Sequence, residues 1–206
     1  MEFCPLCSGP GEVFYKKMFY ICGECFGIFR SIENRPAPEK EKARYELHRN
    51  DVNDIGYQQF VSPVTSAVLQ SFLPEHKGLD YGAGSGSVIS KILKDQGYNI
   101  KLFDPFFHNF PELLNEKYDY IACCEVMEHF YYPAKEFQSL KDLLKPNGSL
   151  YCMTHIYNSE INFDTWYYKN DPTHVFIYQK QTILWIYKNF GFSDISIDNR
   201  LIRFIN

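Results

Sequence analysis

GLDYGAGSGSVISKILKDQ, residues 78–96, decides the fold. Four residues of strand character run into a glycine-rich loop, and then Val88, Ile89, Ile92 and Leu93 recur on one face of a helix that Gly97 closes. Strand, glycine loop and helix together make a ligand-binding turn. Glycine tolerates sharp turns and lets the backbone approach a bound group closely, while the helix start offers N–H groups and the positive end of its dipole. The next strand, NIKLF at 99–103, ends in Asp104, where an acid meets ribose hydroxyls in a nucleotide-binding βαβ unit. A dinucleotide fingerprint reads G-x-G-x-x-G/A; in this sequence the third glycine comes one residue early and Ser87 stands in the expected place, which argues against NAD.

Moving outward, YDYIACC at 118–124 has the continuous apolar pattern of a buried strand and runs into EVMEHF. An amphipathic helix at 134–144 leads through KPNGS into the strand SLYCMTHI, and a helix over QTILWIYKNFGF stops at Gly191. The chain then closes with a hairpin, 193–198 and 201–205, turning at Asn199 and Arg200.

LDYGAGSG closely resembles motif I of the class I S-adenosylmethionine-dependent methyltransferases, and the EVMEH passage, the KPNGS turn and the terminal hairpin resemble that family's later landmarks in the same order. The resemblance spans about residues 57–206. It implies an α/β fold: a Rossmann-like class I methyltransferase sheet with an antiparallel C-terminal hairpin. It also implies S-adenosylmethionine as cofactor, with the loop Gly82, Ala83, Gly84 and Gly86 around the methionine moiety. Asp80 would reach the amino group and Asp104 the ribose, and Pro105 and Glu125 belong to the same cofactor-binding set. One departure stands out. Only 13 residues separate Asp104 from Tyr118, too few for a helix, a strand and another helix, so strand 3 is expected to be missing or vestigial and the usual adenine-binding acid has no match.

Methyl transfer needs alignment and exclusion of water, plus a base where the acceptor loses a proton. The groups for it should lie beyond the ends of strands 4 and 5, where Glu125, Glu128, His129, His155, Asp171 and His174 fall. A helical turn would group Glu125, Glu128 and His129. Similar E-x-x-E-H passages with a later histidine occur in ubiquinone-biosynthesis O-methyltransferases and small-RNA 3'-terminal 2'-O-methyltransferases, where they are associated with a divalent cation. That resemblance makes Glu125, Glu128, His129 and His174 candidate ligands of a catalytic Mg2+ or Mn2+. The competing reading is free of metal, with His129 or His174 as general base and Glu125 against the cofactor; the catalytic candidates are His129, His174 and Glu128. His155 reads as a strand-end core residue. The aromatic segment 157–178 reads as a lid or an acceptor-pocket wall, with ordinary packing as the alternative, and His108 with Phe106, Phe107 and Phe110 reads as a packed surface loop.

At the N-terminus, CPLC at 4–7 and CGEC at 22–25 flank the hairpin-like VFYKKMFYI. Two C-x2-C turns can close a tetrahedral four-thiolate site, so Cys4, Cys7, Cys22 and Cys25 are expected to hold structural Zn2+ in a zinc ribbon, with iron, which also takes tetrahedral thiolates, as the alternative. Cys123, Cys124 and Cys152 read as small buried hydrophobes. The expected organisation is a zinc ribbon over 1–35, a helical linker over 36–56 containing a solvated helix at 39–51, and the methyltransferase domain over 57–206. His48 and His76 read as exposed, non-functional side chains.

The 206 residues carry a net charge of −4, which gives no general attraction for phosphate backbones. The favoured partner is therefore a small-molecule methyl acceptor, methylated at oxygen, nitrogen or carbon. RNA gripped by the ribbon is the second reading, and a non-catalytic scaffold that kept the fold is the third. No apolar run reaches the roughly 20 residues of a membrane span, so a cytoplasmic protein is expected; oligomeric state has no signature in the sequence.

Overall fold

The computed structural model describes residues 2–47 and 51–206. His48 lies outside the described residues. The chain begins with β1 (Glu2–Phe3), β2 (Pro10–Tyr15), β3 (Phe19–Cys22) and β4 (Ile28–Arg30), followed by helices α1 (Pro38–Glu46) and α2 (Ile55–Ser71). It continues through β5 (Lys77–Tyr81), α3 (Val88–Asp95), β6 (Asn99–Phe103), β7 (Tyr118–Cys124), α4 (Pro133–Leu143) and β8 (Leu144–Met153). The short β9 (Phe176–Ile177), α5 (Lys180–Asn189), β10 (Asp194–Asp198) and β11 (Leu201–Ile205) complete it.

Six strands form one sheet in the order β10-β11-β8-β7-β5-β6. The pairs β5–β6, β5–β7 and β7–β8 are parallel, and β11 runs antiparallel to both β8 and β10. This is the expected methyltransferase-like sheet, with no strand beyond β6 among the described residues. The short connection after β6 instead folds back through a bridge between Asp104 and His108 and a 3-10 turn over Pro111–Asn115. Lys101 of β6 and Lys77 of β5 both pair with Glu116, which places charge along the edge strand.

Local chemistry sets the helices. Asp54 caps α2 by accepting from the N–H groups of Gly56 and Tyr57, and Val61, Val64 and Val68 turn their side chains into the core. Pro63 lacks the N–H that would reach the Gln59 carbonyl, and the Ser62 hydroxyl donates to that carbonyl at 2.7 Å instead. Ser87 caps α3 through Ser90, and Val88, Ile89 and Leu93 pack inward. Helix α1 spans Pro38–Glu46 and buries no residue; residues 48–50 of the expected 39–51 helix lie outside the described residues.

The second sheet has five strands in the order β1-β2-β3-β4-β9. Its last strand comes from the aromatic segment far along the chain: Ile28 pairs with Ile177 and Phe29 with Phe176. Phe163, Trp166 and Tyr168 pack with Phe19 and Ile28 in one buried cluster, and Phe163 makes edge contacts with the rings of Phe14, Tyr15 and Phe19. The aromatic segment therefore packs mainly on the small sheet, and Tyr168 Oη ties it to Thr154 and Glu128 beside the large one. The sequence could count its rings but not tell which surface they cover.

Candidate active site

A cleft of about 620 Å³ opens at the carboxyl ends of β5, β6 and β7. Its floor is the glycine loop. Gly82 and Gly84 take φ of 78° and 62°, and a Cβ on Gly82 would run into Val126. The loop is held from beneath by Asp104, whose Oδ2 accepts from the Gly84 N–H at 2.9 Å while Oδ1 accepts from the N–H groups of Phe106 and Phe107. Asp80 is buried and accepts through Oδ2 from the hydroxyls of Ser87 and Ser90. Burial pushes its carboxyl above the ordinary range, against the pull of those two hydroxyls. Ala83, Gly86 and Pro105 line the same cleft. Phe106 and Phe107 do too, so the stretch after β6 is a cleft wall and not merely a packed surface loop.

The E-x-x-E-H passage does not form the expected α-helical turn. Glu125 has a φ of 52°, and only Met127–His129 make a 3-10 turn. Glu125 consequently turns toward Arg200 of the C-terminal hairpin, whose Nη2 donates to it at 2.6 Å. Glu128, His129 and His174 do come together, each with a ligand-capable atom within 4.8 Å of the others. Glu125 is not one of that group, so the four-residue ligand set read from the sequence contracts to three.

Hydrogen bonds define the chemistry of the trio. Glu128 is fully buried and accepts from Tyr168 Oη at 2.6 Å and from Thr154 Oγ1 at 3.1 Å. His129 Nδ1 lies 2.9 Å from the Thr173 carbonyl, and His174 Nδ1 lies 2.7 Å from the Tyr168 carbonyl. A carbonyl can only accept, so each ring donates from Nδ1 and in its neutral form carries its lone pair on Nε2, the arrangement of a histidine base or metal ligand. Burial, then the neighbouring His129, pushes His174 down to about 4. Burial pushes Glu125 up to about 8, with Glu128 adding to it, and Glu128 up to about 7. The two carboxyls titrate as a pair, and Arg200, in contact with Glu125, favours the charged form of both against that burial.

Several residues here were not singled out in the sequence. Arg30 of β4 is only 5% exposed and donates to the carbonyls of Lys169, Asp171 and His174, so the cysteine-bearing sheet fixes the loop that carries His174. Arg44 of α1 donates two hydrogen bonds to Asp171; burial alone would raise the Asp171 carboxyl, but Arg44 and Thr173 hold it well below the carboxylate range. Tyr45 of α1 lies edge-on to His129 and tilted against Phe106, placing α1 across the cleft. No local pattern marks Arg30, Arg44 or Tyr45, because each acts on a distant part of the chain. His155 is half-buried at the end of β8 with Nε2 2.9 Å from Tyr167 Oη, outside this cleft. His76 is also structural, since its Nδ1 accepts from the Leu73 N–H.

In the smaller sheet, the four N-terminal cysteines offer sulfurs within 4.8 Å of one another. The two C-x2-C turns are built alike. Ser8 N–H donates to the Cys4 carbonyl and Phe26 N–H to that of Cys22, and both Ser8 and Phe26 have positive φ. Cys7 Sγ accepts from the Gly9 N–H and Cys22 Sγ from the Glu24 N–H. Cys123 and Cys152 are fully buried, whereas Cys124 is partly buried and reaches the cleft wall.

A mixed sheet whose adjoining parallel strands end in a glycine loop and, one strand on, an acid defines a nucleotide-cofactor-binding α/β protein. The chain belongs to the methyltransferase domain family, which it matches over residues 54–197. It is 35% identical over 81 residues to a ubiquinone biosynthesis O-methyltransferase of Histophilus somni (strain 2336), a match covering 37% of this chain and 34% of that protein. Among solved structures, an O-methyltransferase family protein from Burkholderia thailandensis superposes with a TM-score of 0.55 at 13% identity, covering 84% of this chain and 64% of the other. Magnesium protoporphyrin IX methyltransferase (ChlM) from Synechocystis PCC 6803, solved with bound SAM, gives 0.51 at 18% identity over 82% and 92%. These likenesses establish the fold. No helix among the described residues is long and apolar enough to cross a membrane.

Proposed function

We propose that this chain is an S-adenosylmethionine-dependent methyltransferase acting on a small-molecule acceptor. The observation that carries the reading is a single cleft joining the glycine loop and Asp104 to Glu128, His129 and His174. The residues fit the cofactor: backbone N–H groups and a helix start suit its carboxylate, Asp80 its ammonium group, and Asp104 its ribose hydroxyls. When bound, S-adenosylmethionine supplies an electrophilic methyl group for in-line displacement. The chain's own residues then position the partners and exclude water, with Tyr45, Phe106 and α1 closing the cleft's open side. His174 presents an Nε2 lone pair to receive the acceptor's proton, His129 stands beside it as the other candidate base, and Tyr168 and Thr154 hold Glu128 next to both.

A divalent cation is supported as a second mode by the same trio. Two imidazoles and one carboxylate suit Mn2+ better than Mg2+, which favours an all-oxygen shell. For the four cysteines, a closed set of thiolates suits structural Zn2+. The cleft wall carries Glu41, Asp80, Asp104, Glu125, Glu128 and Glu136, a charge balance that favours a compact acceptor over a polynucleotide.

Calorimetric titration with S-adenosylmethionine tests the reading. Binding by the intact protein should be lost in Gly84→Ala and Asp104→Ala, after which an acceptor screen with and without Mn2+ separates the two catalytic modes. A folded intact protein that binds no S-adenosylmethionine would overturn it.

A further inference from the structure

A second cleft, of about 640 Å³, lies at the same end of the large sheet, between the segment after β8, the start of α5 and the hairpin turn at Asn199 and Arg200. Its chemistry is the reverse of the first. Lys180 and Arg200 line it together with the ring of His155, which burial pushes down to about 4, and the amides of Asn158, Gln181 and Asn199, and no carboxylate lines it among the described residues. Asp198 and Glu160, the nearest acids in sequence, are exposed and lie outside its wall.

Two observations point to an anionic ligand. Arg200 spends Nη2 on Glu125, but its Nε is buried without a hydrogen-bond partner among the described residues, a state that native proteins seldom leave uncompensated. Lys180 is exposed with no ion pair among those described, and it sits where α5 begins, so the positive end of that helix dipole adds to its charge. The guanidinium of Arg200 also lies 4.5 Å from the ring of Phe60, which lines the first cleft as Glu125 does. Arg200 thus stands in the partition between the two clefts.

We infer that the second cleft binds the phosphate or carboxylate end of an organic anion, beside the cofactor cleft and separate from it. The N-terminal sheet helps shape this site: Gln179, on its wall, donates to the Phe26 carbonyl, and Tyr157 bridges to Gln179. The site stands on its own geometry whether or not the chain transfers methyl groups.

The test titrates inorganic phosphate and, separately, succinate into the full chain, following the side-chain amides of Gln181 and Asn199 by NMR, with S-adenosylmethionine titrated in parallel. At least one anion should saturate these shifts, and the stronger of the two identifies the preferred headgroup. Lys180→Glu, a change on an exposed side chain, should weaken that binding by about tenfold, the loss of one charge-assisted contact. Asn199→Asp should weaken it as well, and S-adenosylmethionine should bind all three proteins alike in the presence of the anion. No saturation by either anion, unchanged affinity in both variants, or competition with S-adenosylmethionine would each overturn the inference. Anion binding that needs Lys180, in a protein that ignores S-adenosylmethionine, would uphold it while removing the methyltransferase reading.

Discussion

Arg30 reaches from the small sheet into the loop before β9 and satisfies three backbone carbonyls there. Removing it leaves those carbonyls buried and unpaired, so Arg30→Ala should cost about 2–3 kcal/mol in urea unfolding. It should also displace His174 in NMR spectra while leaving the cofactor cleft able to bind. Glu128 makes a different kind of contribution. Its folded pKa is raised toward 7 by burial, so the folded state holds a proton that the unfolded chain gives up near 4.3, and stability falls as pH rises between those values. Glu128→Gln should therefore be close to neutral at pH 4 and less destabilising, or stabilising, at pH 8, as read from unfolding curves at both. His174 has the opposite sign: its folded pKa near 4 lies below the unfolded value near 6.5, so stability is lost as pH falls through that window. His174→Asn should flatten this acid limb.

At the scale of elements, the glycine loop and the strand beneath it were legible because their signals are local. NIKLF and YDYIACC became β6 and β7 with the expected ends, since an apolar run bounded by turn residues has few other ways to fold. The E-x-x-E-H turn was not, because helical spacing assumes helical dihedrals and Glu125 takes a positive φ to meet Arg200. Arg200 itself looked like a turn residue. Its partner, Glu125, lies just past the end of β7, and one sequence carries no record of that pairing. Gly82 offers a direct check on the loop: φ of 78° and the closeness of Val126 leave no place for a side chain. Gly82→Ala should lower stability by about 1–3 kcal/mol and abolish S-adenosylmethionine binding in the same calorimetric assay.

Across the whole molecule, the four-cysteine site and the candidate catalytic trio form one mechanical unit. The cysteines hold the turns that carry β3 and β4, β4 pairs with β9, and Arg30 fixes the His174 loop. With the proposed Zn2+ bound, its removal by a strong chelator should therefore make residues 157–178 sensitive to limited proteolysis along with residues 2–35, although the cysteines lie outside the cleft. Cuts confined to the N-terminal part would break this linkage. Pairing β4 with β9 also has a consequence for biosynthesis. The first forty residues leave the ribosome with their sheet unfinished, because its fifth strand is encoded near the other end of the chain. All four N-terminal cysteines are made early, yet the open edge of β4 and the apolar face of Phe29 stay uncovered until residue 177 has been made, and through that interval the nascent protein is exposed to wrong partners.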